Sequence, residues 1–342
     1  MTVRARAPLR LGLAGGGTDV SPFSDEHGGC VMNVTIDKYA YVSIDEASSA
    51  QLEFHATDAG VSHRLPVGVA TVPAGPTQLM AGVYNRICRT FLDGRYPPLR
   101  VRTHSDAPPG SGLGSSSTMV VALVTAFAEY FGLALGEYEI AHLAYVIERQ
   151  DLALTGGKQD QYAAAFGGFN FMEFYAADRV IVNPLRIKDW VWTELESSLV
   201  LYFTGVSRSS AAIIDEQSRN ARERRAESME AMFQLKEEAV QMKEAVLLGD
   251  VSRFAKVMQA GWEAKKRMAN CISNPMIDEL ETLAFEHGAK AAKVSGAGGG
   301  GFMMFVCDPA ERVGLVRALG GAGGLILDAH FSNSGAYAWK VN

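Results

Sequence analysis

The chain has 342 residues, of which 48% are hydrophobic and 20% charged, with a formal net charge of -6. This length gives a prior of about two domains and enough material for a substantial core, and the composition is that of a soluble globular protein. The acidic balance argues against a general nucleic-acid binder or a membrane-surface protein, while leaving room for a local basic pocket.

Val3, Ala5, Ala7, Leu9, Leu11 and Leu13 occupy alternate positions up to the break at Gly15, Gly16 and Gly17. Met32, Val34, Ile36, Ala40, Val42 and Ile44 repeat the alternation, and both stretches read as half-buried strands. Residues 51–76 read as further strand and loop, 79–92 as a helix and 99–103 as a short strand. A helix near 116–132 is apolar almost all round, as a buried central helix is. The next helix, 136–151, is amphipathic, with Ile140, Leu143, Ala144 and Ile147 on one side. A loop over 154–160, a short helix ending at Gly167 and Gly168, and alternating segments at 169–174 and 179–184 close the first half. The boundary falls within 183–195, dividing the chain into domains 1–188 and 189–342. The second half opens with a buried strand at 199–204. Two long helices follow, 209–247 with a break and 251–267; the Met stripe in the first is read as core. A helix at 275–287, a strand at 302–306, a helix at 311–319 and a final strand complete an α+β order.

Cys30, Cys88, Cys271 and Cys307 are dozens of residues apart without a C-x-x-C pair, and the histidines show no zinc spacing. Idle thiols in a reducing, cytoplasmic setting are expected. No apolar stretch follows Arg4, Arg6 and Arg10 to make a secretory leader, and no apolar run approaches the ~20 residues of a bilayer span.

Asp106–Thr118 reads DAPPGSGLGSSST and runs straight into the central helix. Gly110, Gly112 and Gly114 permit a tight turn with inward N–H groups, and Ser115, Ser116, Ser117 and Thr118 supply hydroxyls where the helix begins. A plain surface turn with an N-cap has the same composition. No G-x-x-x-x-G-K-[ST] is present, so a phosphate loop here is not of the common P-loop type. Glycines also gather at Pro8–Asp19, which ends Gly15-Gly-Gly-Thr-Asp19, and at Lys293–Gly301.

In order and spacing the three segments resemble the GHMP kinases, the superfamily of galactokinase, homoserine, mevalonate and phosphomevalonate kinases. The ending of the first segment is similar to anomeric sugar kinases. The stretches Tyr145–Arg149, Gly156–Tyr162 and Gly167–Phe174 are similar to heptose 7-phosphate kinases. The resemblance implies a two-domain α+β fold: an N-terminal mixed-sheet domain with a left-handed βαβ crossover and a ferredoxin-like C-terminal domain. It implies ATP and Mg²⁺, a sugar phosphate acceptor phosphorylated at its anomeric hydroxyl, no nucleic acid or membrane partner, and leaves a homodimer open.

Residue by residue, the resemblance makes Asp160 the catalytic carboxylate and Arg10 its cationic neighbour. It places the ATP phosphates on Pro109, Gly110, Ser111, Gly112, Leu113, Gly114, Ser115, Ser116 and Ser117, and Mg²⁺ on Ser116 and Glu148. Arg149 beside Glu148 leaves that register open by one residue. Asp19, with Gly17 and Thr18, is expected at the sugar hydroxyls, and Ser295 and Gly296 on the substrate side of the third loop. Lys158, Arg208 and Lys293 are the basic positions for the substrate's own phosphate; Lys158 either contacts it or points to solvent. The alternatives are an L-fucose-type or other anomeric sugar kinase, or a catalytically silent sugar sensor on the same fold. A dinucleotide oxidoreductase lacks its G-x-G-x-x-G.

Overall fold

The computed structural model describes residues 1–47, 51–206, 210–269 and 271–341. The first half contains β1 (Thr2–Ala14), α1 (Phe23–His27), β2 (Gly29–Asp45), β3 (Leu52–Ala56), β4 (Val61–Leu65), α2 (Gln78–Phe91), β5 (Arg100–Ser105), α3 (Ser115–Phe131), α4 (Glu137–Val146), α5 (Gln159–Phe166), β6 (Phe169–Phe174) and β7 (Val180–Pro184). The second half contains α6 (Asp189–Ser198), β8 (Leu199–Phe203), α7 (Ser210–Arg222), α8 (Ala226–Leu248), α9 (Val251–Lys266), α10 (Pro275–Glu286), β9 (Ala289–Val294), β10 (Phe302–Cys307), α11 (Arg312–Gly320), β11 (Leu325–Leu327) and β12 (Tyr337–Val341).

Among the described residues these strands form two sheets. The larger runs β12-β1-β2-β5-β3-β4, with β6 added on β2 and β7 on β6. It is mixed, because β3 and β5 are parallel while the other pairs are antiparallel. The smaller sheet runs β11-β8-β10-β9 and is antiparallel throughout, with helices between β8 and β9 and between β10 and β11. That is the βαββαβ connectivity of a ferredoxin-like unit.

Burial explains why α3 is a helix despite its many β-branched residues, which have low helix propensity. Every residue from Ser117 to Ala128 is buried, so packing against β1, β2 and α2 outweighs propensity. Gly114 and Gly132 bound it, both left-handed at φ 77° and 68°.

Strand β1 serves two cores. Ala5 and Ala7 pack around α3, whereas Leu9, Leu11 and Leu13 join Leu201, Met304, Met242 and Val257 in an apolar layer between the two sheets. The register with β2 shifts between Pro8 and Arg10. Because strand side chains alternate, Arg10 turns away from that layer, toward the cleft between the halves. A third core surrounds the fully buried Trp262.

Three features depart from the expected order. The chain end does not stay in the second domain: β12 pairs with β1 (Thr2 opposite Val341), and Ser332 N donates to Thr35 O. The expected domain 189–342 therefore loses its last strand to the first sheet. Helix α6 begins within the expected boundary at 183–195. Strand β9 forms where none was expected, because its Ala-Lys-Ala-Ala-Lys-Val sequence is paired with β10 rather than patterned. No helix among the described residues is long and apolar enough to cross a membrane.

Candidate active site

The glycine loop before α3 and the loop between β9 and β10 meet backbone to backbone. A Cβ on Gly112 would lie 2.4 Å from Ser295 O, and one on Gly296 would lie 2.8 Å from Gly112 Cα. Only glycine permits this approach, and both residues also have positive φ. Ser295 Oγ donates to Gly112 O at 2.9 Å, and Phe302 N donates to Ser111 O at 2.9 Å. Beside this junction opens a cleft of about 310 Å³.

Arg10 and Asp160 face each other in the cleft. The guanidinium approaches Asp160 Oδ1 through Nε and Nη2, each at 2.7 Å, and its Nη1 donates to Gly112 O at 2.6 Å. Arg10 is buried while Asp160 is half-buried. The first turn of α5 carries Asp160 toward the start of α3: a Cβ on Gly114 would lie 3.2 Å from Asp160 Oδ2. One carboxylate thus sits between a fixed cation and the donor end of a helix.

A second cluster lies alongside. Helix α4 ends in a π-helical turn, Ile147–Asp151, which buries Glu148. Glu148 Oε1 accepts from Ser116 Oγ at 3.1 Å, and Oε2 accepts from Gln161 Nε2 at 2.5 Å. Gln161 Nε2 also reaches Ser117 Oγ at 3.1 Å, while Ser116 itself is exposed. Of the two neighbours, it is Glu148 that faces Ser116, while Arg149 donates to Leu154 O and Gly157 O at 3.1 and 3.2 Å.

Asp19 lines the cleft but acts as a tie. Its Oδ1 accepts from Gly17 N and Gln159 Nε2 at 3.2 and 3.0 Å, and its Oδ2 from Lys158 N and Gln159 N at 2.9 and 3.1 Å. Four donors on a carboxylate with about four acceptor sites leave little for a sugar hydroxyl. Their effect is to lock the start of α5, and so Asp160, to the first glycine turn. Gly157 is required there, because a Cβ would fall 2.0 Å from Asp19 Oδ2.

Several expected contacts are displaced by packing. Thr18 is fully buried, with its Oγ1 proton shared between Gly15 O and Cys30 O at 2.8 and 2.9 Å and the oxygen accepting from Cys30 N at 3.1 Å, so it braces the turn rather than facing substrate. Ser295 is likewise buried on Gly112 O. In the second loop Gly110, Gly112, Gly114, Ser115, Ser116 and Ser117 line the cleft, whereas Pro109, Ser111 and Leu113 do not. Ser111 and Leu113 are fully buried and serve through their carbonyls, Leu113 O accepting from Arg10 N. Gly17 and Gly296 line the cleft.

Of the basic positions, Lys293 is buried and donates to Leu13 O at 2.8 Å, outside the cleft lining. Burial, with Lys265 nearby, pushes its ammonium down to about 7. Lys158 is neither at the catalytic cleft nor in solvent: it is buried, with Nζ 2.9 Å from Asp178 and 3.7 Å from Asp25. Arg208 lies outside the described residues. Sequence reasoning missed Lys265, which α9 brings into the cleft with Nζ donating to Gly296 O. Burial and then the Arg10 charge lower it to about 8, against the pull of Asp19 and Asp160. Nothing in the pattern of α9 separates it from the neighbouring Lys266.

Comparison with known proteins fits this geometry. Residues 78–168 match the model of the GHMP kinases N terminal domain, and 242–323 that of the GHMP kinases C terminal. The chain is 43% identical to a D-glycero-alpha-D-manno-heptose 7-phosphate kinase of Campylobacter jejuni, covering 99% of both chains. A solved D-glycero-D-manno-heptose 1-phosphate kinase from Bacteroides thetaiotaomicron is 45% identical, covers 99% of each chain and superposes with a TM-score of 0.84. A mevalonate kinase at 19% identity shares the fold, with a TM-score of 0.77 over 97% of this chain and 99% of its own. Both domain matches, together with a 43% identical relative covered from end to end, show that the chain belongs to the GHMP kinases.

Proposed function

We propose that the chain transfers the γ-phosphoryl group of ATP to the anomeric hydroxyl of D-glycero-D-manno-heptose 7-phosphate, giving the 1,7-bisphosphate. The observation that carries the chemistry is the Arg10–Asp160 pair at the start of α3. In this reading Asp160 accepts the proton of the sugar hydroxyl as its oxygen attacks phosphorus. Arg10 holds that carboxylate in place and offsets charge on the phosphoryl group in transfer. The ATP phosphates lie along residues 110–117, where glycine turns and the N–H groups opening α3 face an anion. Lys265 adds a cation from the second domain. The remaining work is in-line positioning.

Ser116 and Glu148 suit a magnesium ion: a hydroxyl exposed at the cleft and a carboxylate stand 3.1 Å apart, and a hard cation that keeps several waters needs few protein oxygens. No group of three or more His, Cys, Asp or Glu side chains among the described residues forms an all-protein cage. Bound there, magnesium would neutralise charge on the ATP phosphates. The choice of sugar rests on the likeness to the two heptose phosphate kinases, whose names differ in the phosphate they specify. As an ATP-using soluble enzyme, the chain would work in the cytoplasm.

The test is turnover of ATP with heptose 7-phosphate, unphosphorylated heptose, L-fucose and galactose, the product read by ³¹P NMR. A new anomeric phosphate from heptose 7-phosphate is expected. Equal turnover of unphosphorylated sugars would overturn the heptose 7-phosphate reading. Sugar binding without turnover of any acceptor would favour a silent sensor.

A further inference from the structure

A second cavity of about 710 Å³ adjoins the cleft and shares Asp19, Arg149 and residues 154–156 with it. Helix α7 gives it Ser218, Arg219 and Arg222, while Tyr145, Arg149 and Lys158 come from the first domain. The charge there is only partly compensated. Lys158 is met by Asp178 and Asp25. Arg149 spends two nitrogens on carbonyls, but its buried Nε has no partner among the described residues. Arg219 and Arg222 are exposed, and neither forms an ion pair within the described residues. On the acidic side, Asp19 is sheathed by four N–H donors, which leaves Asp215, one turn before Arg219. Arginine therefore exceeds acid in a polar cavity continuous with the catalytic cleft.

We propose that this cavity receives the phosphomonoester that the sugar substrate already carries, with Arg219 and Arg222 as its principal contacts. The inference rests on the phosphorylated-sugar reading above. A phosphate of nearly two negative charges offers three strong acceptor oxygens, and guanidinium groups meet such oxygens in bidentate pairs. Continuity of the two cavities lets one extended sugar place a hydroxyl at Asp160 and its phosphate on α7. Selection of a phosphorylated over a plain sugar then falls to α7, away from the reacting atoms.

The experiment uses Arg219→Ala, Arg222→Ala and the double variant with saturating ADP and Mg²⁺, which fills the glycine loop. Inorganic phosphate is titrated by calorimetry. Wild type is expected to bind it, and the double variant to bind at least about 10-fold more weakly, the weight of lost charge-assisted hydrogen bonds. Asp215→Asn should tighten binding. In turnover, the double variant should raise KM for heptose 7-phosphate by a similar factor, with KM for ATP and turnover of unphosphorylated heptose unchanged. Identical phosphate titrations for wild type and double variant, or an unchanged KM, would overturn the subsite while leaving the kinase reading intact. Phosphate binding that depends on the arginines, in an enzyme inactive on heptose 7-phosphate, would support the subsite and overturn that substrate instead.

Discussion

Replacing Asp160 by asparagine separates its chemical role from its structural one. Both Arg10 contacts fall on Oδ1 at 2.7 Å, and an asparagine oxygen can occupy the same point. The guanidinium keeps an acceptor and loses only the opposite charge. Charge-assisted hydrogen bonds contribute about 1.5–3 kcal/mol and neutral ones about 0.5–1.5, so Asp160→Asn should cost about 1–2 kcal/mol of folding stability. For a chain of this size that is a Tm drop of a few degrees. Loss of a general base lowers turnover by about 10²–10⁴-fold, or about 3–5 kcal/mol of barrier. The folded fraction therefore stays near unity while kcat collapses. The assay couples ADP release to heptose 7-phosphate concentration, alongside a direct nucleotide titration and a thermal melt. Turnover within about tenfold of wild type in the folded variant would remove Asp160 from the base role. A parallel fall in nucleotide affinity would instead assign its effect to the glycine loop through Gly114.

Glu148→Gln can keep the hydrogen bond from Ser116 but removes the one anionic ligand of the Ser116–Glu148 pair, so the Mg²⁺ concentration for half-maximal rate should rise; an unshifted Mg²⁺ titration would take Glu148 out of the metal site. Asp19→Asn turns one acceptor oxygen into a donor facing other N–H groups, and should lower stability by about 2–3 kcal/mol in urea melts. A change confined to KM for sugar would show Asp19 acting on substrate rather than as a tie. Lys293 is held down to about 7 when folded against an ordinary 10.5, so the folded state binds fewer protons and stability should rise between those values by up to about 1.4 kcal/mol per pH unit. Lys293→Met should flatten that rise between pH 7 and 9, and an unchanged slope would exclude Lys293 as its source.

Most of the fold is legible because glycines punctuate it: Gly114 and Gly132 bound α3, and Gly167 ends α5. The alternations of β1 and β2 are equally plain. The pairing of β12 with β1 is not, since nothing local at 337–341 names a partner more than three hundred residues away. The site divides in the same manner. Arg10, Asp160, Ser116 and Glu148 stand within motifs and meet as pairs. Thr18, Ser295 and Lys293 also stand within motifs, yet their polar atoms are consumed by backbone carbonyls, which motif spacing does not reveal. Lys265 carries no motif, and only the packing of α9 against β9 and β1 brings it to the cleft.

The return of β12 to β1 also governs how the chain must be made. Thr2 leaves the ribosome well before Val341, which covers that edge of its sheet. At about 5–20 residues per second, the wait is on the order of tens of seconds. Meanwhile Leu9, Leu11 and Leu13 lack the apolar layer that β8 and β10 bring later. The nascent first half therefore carries an open strand edge and an uncovered greasy face, the combination that recruits chaperones and seeds aggregation. The strand that bears Arg10 is made long before the strand that completes it.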